Sequence, residues 1–303
     1  MLLPPHPAEG YETDQFHNRL EDIQDSTQIL DRQVNHAIEE IAQNWGGPHD
    51  EKKFATEVFH SVGGYHWVDK IERWAMESEA VDRLSTPKRE SIYAGHPIWA
   101  TRVIGFFGVG PTIKLNGQLI GSDKLGHFFS QGKKFYFRYL QSGDEALAAE
   151  HSAYTERAIF GQLTTGVYSN ADLVANYEGL LFYRSLFEDD IINGKPAIVV
   201  WKDDSWHIQR DFTFADHVNA YWDEALNINH FDGLLYPHMQ ERLSGFCDDY
   251  RDSPGSYQIN DEETLITRYQ HLQLRDTSEL RLDSLCEPET EETGITPKLI
   301  RAN

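Results

Sequence analysis

Three segments decide the fold of this 303-residue chain: DKLGHF (Asp123–Phe128), TERAIFGQ (Thr155–Gln162) and SNADLVANYEG (Ser169–Gly179). Each places acidic, amide or imidazole groups at helical spacing inside apolar and aromatic sequence. Such groups are costly to bury unless they hydrogen-bond to one another or take part in chemistry. We therefore expect the three segments to lie on helices that share one polar cluster.

The three helices are predicted over residues 123–141, 144–164 and 170–188. Short separators between them favour antiparallel neighbours. Asn-Gly within TIKLNGQLIG (Thr112–Gly121) predicts a β-hairpin, because these residues favour the positive φ angles of a type I′ turn. A second hairpin is expected over 193–212, and a helix with a capping box over 213–227. The predicted fold class is mainly α, a helical domain with a central three-helix polar-core motif and two small β-hairpins.

We predict a single mainly helical domain over residues 1–250, with the motif core at 112–190. Residues 251–303 are expected to form an acidic, polar C-terminal tail with at most one short packed element. The two cysteines, Cys247 and Cys286, lie towards this end of the chain. The sequence leaves open whether they form a disulfide in an oxidising compartment or remain free thiols.

Composition argues against nucleic acid as a partner. The chain has 49 Asp and Glu against 27 Lys and Arg, and a negative surface repels phosphate backbones. No transmembrane segment is expected, because the best candidate, residues 97–113, contains Arg102 and several glycines and is shorter than about 18–20 apolar residues. The N-terminus lacks a signal-peptide pattern, and an export signal replaced by a start Met would leave the same sequence.

On the first predicted helix, Asp123 and His127 are four residues apart and share one face. A carboxylate beside an imidazole can fix its tautomer, as a general base or a metal ligand requires. The alternative is structural: Asp123 serves the helix N-terminus, and His127 is a hydrogen-bonded core histidine. On the second helix, Glu156 has apolar neighbours that favour a raised pKa, which suits a general acid or base, although an ion pair would also explain it.

On the third helix, Asp172, Asn176 and Gly179 share one face, and Gly179 would allow another backbone to approach closely. Asp172 also has a structural explanation, because Ser169 and Asp172 fit a capping box. A buried Asn176 needs hydrogen-bond partners, which Asp123, His127 or Glu156 would supply. The chain contains no HExxH, CxxC, Gly-rich phosphate loop or GxSxG, so no local motif supports a serine or cysteine nucleophile.

The ordered pattern of residues 122–183 resembles the YfiM-type lipoproteins, the DUF2279 group, and more distantly the VanZ-like membrane proteins. Those families share a DK-x-x-H helix, a following Glu, and an S-x-x-D helix with a downstream Asn or Asp and a Gly. The matching positions here are Asp123, Lys124, His127, Phe128, Glu156, Ser169, Asp172, Asn176 and Gly179. The resemblance implies a cell-envelope context and a shared polar helical core. Unlike the VanZ-like proteins, this chain carries the pattern in an acidic sequence without an apolar span.

Three hypotheses follow. The first is a metal-independent, cell-envelope-associated hydrolase-like enzyme acting on a peptidoglycan or lipid-linked substrate, periplasmic or otherwise attached to the envelope. In it Glu156 is the general acid or base, Asp123 orients His127, and Asp172 and Asn176 position substrate or water. The second is a site for Mg²⁺, Mn²⁺, Ca²⁺ or Fe²⁺ made by His127 with carboxylates. The third is a non-catalytic envelope or scaffold protein whose polar network fixes helix register. No cofactor is identified by the sequence.

Overall fold

The computed structural model describes residues 12–64, 68–95, 109–148 and 167–286, and these residues are mainly helical. The α-helices are Thr27–Gln43 (α1), Glu51–Val62 (α2), Lys70–Glu77 (α3), Asp123–Gly126 (α4), Gly132–Ser142 (α5), Asn170–Ser185 (α6), Tyr236–Ser244 (α7), Cys247–Asp252 (α8), Glu262–Tyr269 (α9) and Leu282–Leu285 (α10). A π-helical turn, His127–Gln131, joins α4 to α5. The first predicted helix of the motif is therefore present, with a π turn inserted in it.

The strands form small two-stranded sheets. The pairs are β1 (Glu12–Thr13) with β2 (Val109–Gly110) in parallel, and, antiparallel, β3 (Thr112–Leu115) with β4 (Gln118–Gly121), β5 (Val167–Tyr168) with β8 (His230–Phe231), and β6 (Val199–Lys202) with β7 (Ser205–Ile208). Both predicted hairpins are confirmed. Asn116 and Gly117 have φ of 48° and 75°, and Asp203 and Asp204 have φ of 50° and 54°, as type I′ turns require.

The third predicted helix is confirmed as α6, and the Ser169 side chain accepts from the backbone N–H of Asp172 at 3.1 Å. The second predicted helix, 144–164, is helical from residue 145 to 148, and its remainder, including Glu156, lies outside the described residues.

The prediction of a helix over 213–227 is wrong. The segment forms two 3₁₀ turns, Phe214–Asp216 and Ala220–Trp222. The side chains of Thr213 and Asn219 each accept a hydrogen bond from the backbone N–H two residues further on. Such local bonds compete with helical hydrogen bonds, so each side chain starts a turn that ends after three residues.

The π turn and the start of α5 cross α6 at two glycines, Gly132 and Gly179. A Cβ atom on Gly179 would lie 2.0 Å from the carbonyl oxygen of Phe128 and 2.8 Å from Cα of Gly132. The two backbones therefore touch where any side chain would keep them apart. Around this crossing Phe128 is fully buried, and its ring packs against several other aromatic side chains. The close approach brings the polar groups of the two helical segments within bonding distance.

The segment from residue 251, predicted as a polar tail, has packed structure as far as residue 286. Its buried residues are Tyr257, Leu265, Tyr269, Leu272, Thr277, Leu280, Leu282 and Cys286. A disulfide joins Cys247 and Cys286 across a sequence separation of 39 residues. Disulfides of this kind stabilise small domains by roughly 2–4 kcal/mol, so the bond offsets the low apolar content of the segment.

A buried carboxylate attaches the same segment to α6. Glu178 has no exposed surface, and it accepts hydrogen bonds from Arg268 Nε at 2.8 Å and from the Tyr269 hydroxyl at 2.7 Å. His217 Nδ1 lies 3.1 Å from its other oxygen. These partners satisfy the charge, which would otherwise be costly to bury. Glu178 is thereby assigned to the scaffold.

Candidate functional site

A buried lysine lies at the bottom of the site. Lys124 is 1% exposed, and its Nζ lies 2.6 Å from Asp123 Oδ2, 2.6 Å from Asp172 Oδ1 and 2.8 Å from Glu224 Oε1. Lys124 and Asp123 come from α4, Asp172 comes from α6, and Glu224 follows the second 3₁₀ turn. One ammonium group thus forms ion pairs with carboxylates from three parts of the chain.

His127 lies next to Lys124 and its carboxylate partners, at the first position of the π turn. Its Nε2 is 3.2 Å from Asp172 Oδ2, and its Nδ1 is 3.0 Å from Asn176 Oδ1. The imidazole is therefore oriented from both sides by α6, and the protonated ring can donate to both oxygens. About a quarter of the His127 side chain is exposed, at 23%, so the ring is held in place and is still reachable from solvent.

The predicted role of Asp123 as the group that orients His127 is not what the structure shows. Asp123 turns to Lys124, while Asp172 bonds the imidazole. The reason is charge: a lysine next in sequence, buried with Asp123, is a stronger partner than a partly exposed imidazole. Asp172 has both of the roles that the sequence left open. Its backbone N–H bonds to Ser169 at the start of α6, and its carboxylate bridges Lys124 and His127.

A second carboxyl pair, Asp69 and Glu72, lies beside the site at the start of α3. The Ser130 hydroxyl, on the same π turn as His127, lies 2.7 Å from each oxygen of the Asp69 carboxyl group. Glu72 Oε2 lies against Gly126, where a Cβ would come within 2.8 Å of it. Both acids are 3% exposed. The site therefore has a buried acidic side that the sequence analysis did not include.

The environment drives the pKa values of these acids apart. Although burial favours the neutral form, His127 and Lys124 hold the pKa of Asp172 below its usual value. Burial raises the pKa of Asp69 to about 7, against the opposing effect of its hydrogen bonds with Ser130. Burial, with the nearby charges of Asp123 and Asp69, raises the pKa of Glu72 well above its usual value. Separated pKa values within one cluster are the arrangement that acid–base catalysis uses.

The pKa of Lys124 is also shifted by the carboxylates that surround it. Burial would lower this pKa, but the three carboxylates around the ammonium raise it well above its usual value. The pKa of Glu224 is raised, because its burial outweighs the attraction of Lys124 and because Asp123 and Asp172 lie nearby. Three carboxylates surrounding one ammonium group leave excess negative charge in the site.

That excess charge suits a cation. Asp123, His127 and Asp172 each offer one ligand atom, and these atoms lie within 4.8 Å of one another. Carboxylate oxygens with one imidazole nitrogen are ligands typical of Mg²⁺, Mn²⁺ or Fe²⁺ sites. Of the residues that the structure describes, this is the group whose side chains could share one ion.

The structure thus brings together four of the five predicted site residues: Asp123, His127, Asp172 and Asn176. The fifth, Glu156, lies outside the described residues. Lys124, Asp69, Glu72, Ser130 and Glu224 also belong to this group of contacts, and none of them was predicted as a site residue. One signal was available, since Lys124 lies inside the DK-x-x-H pattern. Asp69 and Glu72 gave none, because Asp-x-x-Glu before an apolar run reads as a helix start.

Asp69→Asn is expected to change how stability depends on pH. Because folding raises this pKa from 3.8 to about 7, the folded state binds the proton more tightly between pH 4 and 7. The free energy of unfolding of the wild type therefore falls across that window, by on the order of 2–4 kcal/mol from this group. Asparagine cannot ionise, so the variant gains stability relative to the wild type as pH rises.

Denaturant titrations at pH 4.5 and 7.5 measure this change in stability, with Asp248→Asn at an exposed side chain as the control. Parallel profiles for the wild type and Asp69→Asn would contradict it.

Comparison of the chain with protein-family models, curated protein sequences and solved structures finds no match. Within the four described ranges, the helices are all too short or too polar to cross a membrane. The function of the chain is therefore inferred from the chemistry of its own residues.

Proposed function

We propose that this protein is a cell-envelope hydrolase whose acid–base group is His127. One observation carries the proposal: the imidazole is fixed on both ring nitrogens, by Asp172 and Asn176, and still keeps an exposed edge. A histidine that only filled the core would have no need of that edge. A histidine with only a surface position would not be held on both ring nitrogens by two side chains of one helix.

The arrangement supports proton transfer in hydrolysis. Asp172 stabilises the protonated ring, and Asn176 fixes the orientation of its plane. Lys124 keeps Asp172 ionised, because it bonds the carboxylate oxygen that His127 does not contact. His127 can exchange a proton with a water molecule or a leaving group when one of its ring nitrogens leaves Asp172 or Asn176 and turns to that molecule. Glu156 remains a predicted contributor to this chemistry.

Two observations favour the cell envelope. The Cys247–Cys286 disulfide is typical of proteins in oxidising compartments such as the periplasm. The resemblance of residues 122–183 to the YfiM-type lipoproteins implies the same context. The excess negative charge around Lys124 disfavours an anionic reacting group, so we propose a neutral bond as the point of attack. Amide, ester and glycosidic bonds of peptidoglycan or of lipid-linked molecules meet that condition.

The test uses purified protein with peptidoglycan sacculi and, separately, with a total envelope lipid extract, and detects products by mass spectrometry. We expect the wild type to release product from one of the two. Asp172→Asn should lower the rate about 100-fold or more, because it removes the charge that orients and stabilises the protonated ring. Asp248→Asn, the same change at an exposed side chain, should leave the rate unchanged. If folded wild-type protein releases nothing from either material, the proposal is wrong.

The second candidate function is a divalent-cation site formed by Asp123, His127 and Asp172, which the 4.8 Å grouping of their ligand atoms favours. Lys124 would then orient the two carboxylates through their other oxygens, as groups behind metal ligands commonly do. Elemental analysis and thermal shift with Mg²⁺, Mn²⁺, Ca²⁺ and Zn²⁺ test it. We expect about one bound ion per chain and a stabilisation that His127→Ala removes. Absence of bound metal together with absence of any thermal shift would rule it out.

A further inference from the structure

We infer that Ser130 and Asp69 form a nucleophile–base pair, in which the Ser130 hydroxyl attacks the carbonyl carbon of an ester or amide and Asp69 carries the proton. This inference rests on the proposed hydrolase and deepens it, because it names the nucleophile and the bond type. No sequence motif marks the pair, since Asp69 and Ser130 are 61 residues apart.

The geometry is that of an activated hydroxyl. Ser130 Oγ lies 2.7 Å from both Asp69 Oδ1 and Asp69 Oδ2, which is within the range in which a base withdraws a hydroxyl proton. Ser130 is a partly buried residue, whereas Asp69 is buried. The base is therefore shielded from water, and the residue that it contacts reaches the surface.

The backbone places this hydroxyl next to His127. Both residues belong to the single π-helical turn His127–Gln131, three positions apart, and both are partly exposed. Single π turns within α-helices occur frequently at functional sites. The His127 ring bonds to α6 and Ser130 bonds to Asp69 at the start of α3, so a substrate that meets both side chains would lie across this turn.

Asp69 is a strong enough base for the role. An aspartate with its usual pKa of about 3.9 is too weakly basic to compete for a serine proton at neutral pH. Burial raises the pKa of Asp69 to about 7, close to the value of about 6.5 for an unperturbed imidazole. The Asp69 carboxylate can therefore take the part that a histidine takes in serine hydrolases.

The surrounding charge selects a carbonyl centre over a phosphoryl centre. Asp123 and Asp172 flank His127. Lys124 forms ion pairs with three carboxylates, so its positive charge is already balanced and would not attract a phosphate. A phosphate group would be repelled from such a site, whereas a neutral ester or amide would not.

The reaction balances with these residues alone. A bond forms between Ser130 Oγ and the acyl carbon, the proton of Ser130 passes to Asp69, and the bond to the leaving group breaks as Asp69 delivers that proton to it. In the second step water attacks the acyl carbon and gives a proton to a ring nitrogen of His127 that has left its α6 partner. That proton passes to Ser130 Oγ as the ester bond breaks. The products are a carboxylic acid and an alcohol or amine, and the enzyme is regenerated.

Diisopropyl fluorophosphate, a neutral probe of activated serines, tests the pair without a known substrate. We expect the wild type to gain one covalent adduct, mapped to Ser130 by peptide mass spectrometry, at a rate that rises with pH through about 7. Ser130→Ala should take no label. Asp69→Asn, which keeps the shape of the side chain, should be labelled at least about 100-fold more slowly. Ser142→Ala, at an exposed serine of α5, is the control and should be labelled like the wild type.

Melting curves establish that each variant is folded before labelling. The inference is overturned if folded wild-type protein takes no label at Ser130, or if Asp69→Asn is labelled as fast as the wild type. These results are separable from the fate of the proposed function. A wild type that hydrolyses envelope material but leaves Ser130 unlabelled would overturn the pair and leave the role of His127 standing.

Discussion

Lys124→Met is expected to lower the free energy of unfolding by about 3–5 kcal/mol, or to prevent folding altogether. The substitution keeps most of the volume of the side chain but removes the ammonium group that lies between Asp123, Asp172 and Glu224. Removing one partner from a buried ionic group leaves the other charges uncompensated, and that is the costly case. Here three carboxylates would be left facing one another, so the loss should lie at the upper end of the range.

Denaturant unfolding of the variant and the wild type measures this loss. Lys114→Met is the matched control, because Lys114 Nζ lies 3.6 Å from an Asp22 side chain that is 97% exposed, and such pairs contribute about 0–1 kcal/mol. The destabilisation by Lys124→Met should shrink at low pH, where protons neutralise the carboxylates. A Lys124→Met protein as stable as the wild type at neutral pH would mean that the ion pairs of Lys124 do not hold α4, α6 and the segment around Glu224 together.

Gly179→Ala is expected to cost about 3 kcal/mol or more, which is large for the addition of one methyl group. The new Cβ would lie 2.0 Å from the Phe128 carbonyl oxygen and 2.8 Å from Gly132 Cα. Both obstacles are backbone atoms of a packed helical segment, so no side-chain rotation relieves the clash. The π turn would have to move away from α6, and the contacts of His127 with Asp172 and Asn176 would be lost with it.

Thermal and denaturant unfolding test this prediction, and loss of His127 contacts would show as a changed imidazole resonance in NMR spectra. Gly46→Ala is the control, because a Cβ at Gly46 would meet no atom within 4 Å, and exposed substitutions of this kind stay within about 0.5 kcal/mol. Equal stabilities for Gly179→Ala and Gly46→Ala would contradict the close backbone crossing.

Local chemistry explains which parts of the fold were predictable. The Asn116-Gly117 turn and the Asp203-Asp204 turn depend on residues that favour positive φ, and Ser169 caps the helix that follows it. These preferences act within a few residues, so the sequence shows them directly. The wrong prediction of a helix over 213–227 also comes from local side-chain chemistry. The side chains of Thr213 and Asn219 bond to nearby backbone N–H groups, and a helix-start signal became a sequence of short turns.

The site was predictable only in part, because its decisive contacts join distant residues. Asp123, His127, Asp172 and Asn176 were recognised as polar groups on helices that need partners. Which group meets which was beyond the sequence: Glu224 reaches Lys124 from 100 residues away, and Asp69 reaches Ser130 from 61. Asp69 and Glu72 looked like a helix start, and the segment beyond 251 looked too polar to pack.

We propose that His127 is the functional group and that the buried residues around Lys124 support it. The most direct measurement is the hydrolysis rate of His127→Gln per folded molecule, on whichever envelope material the wild type is found to cleave, with His36→Gln at an exposed histidine as the control. We expect a loss of about 100-fold or more in protein whose melting curve shows it to be folded. A His127→Gln protein that is folded and cleaves at the wild-type rate would contradict the claim and leave the cluster with a structural role only.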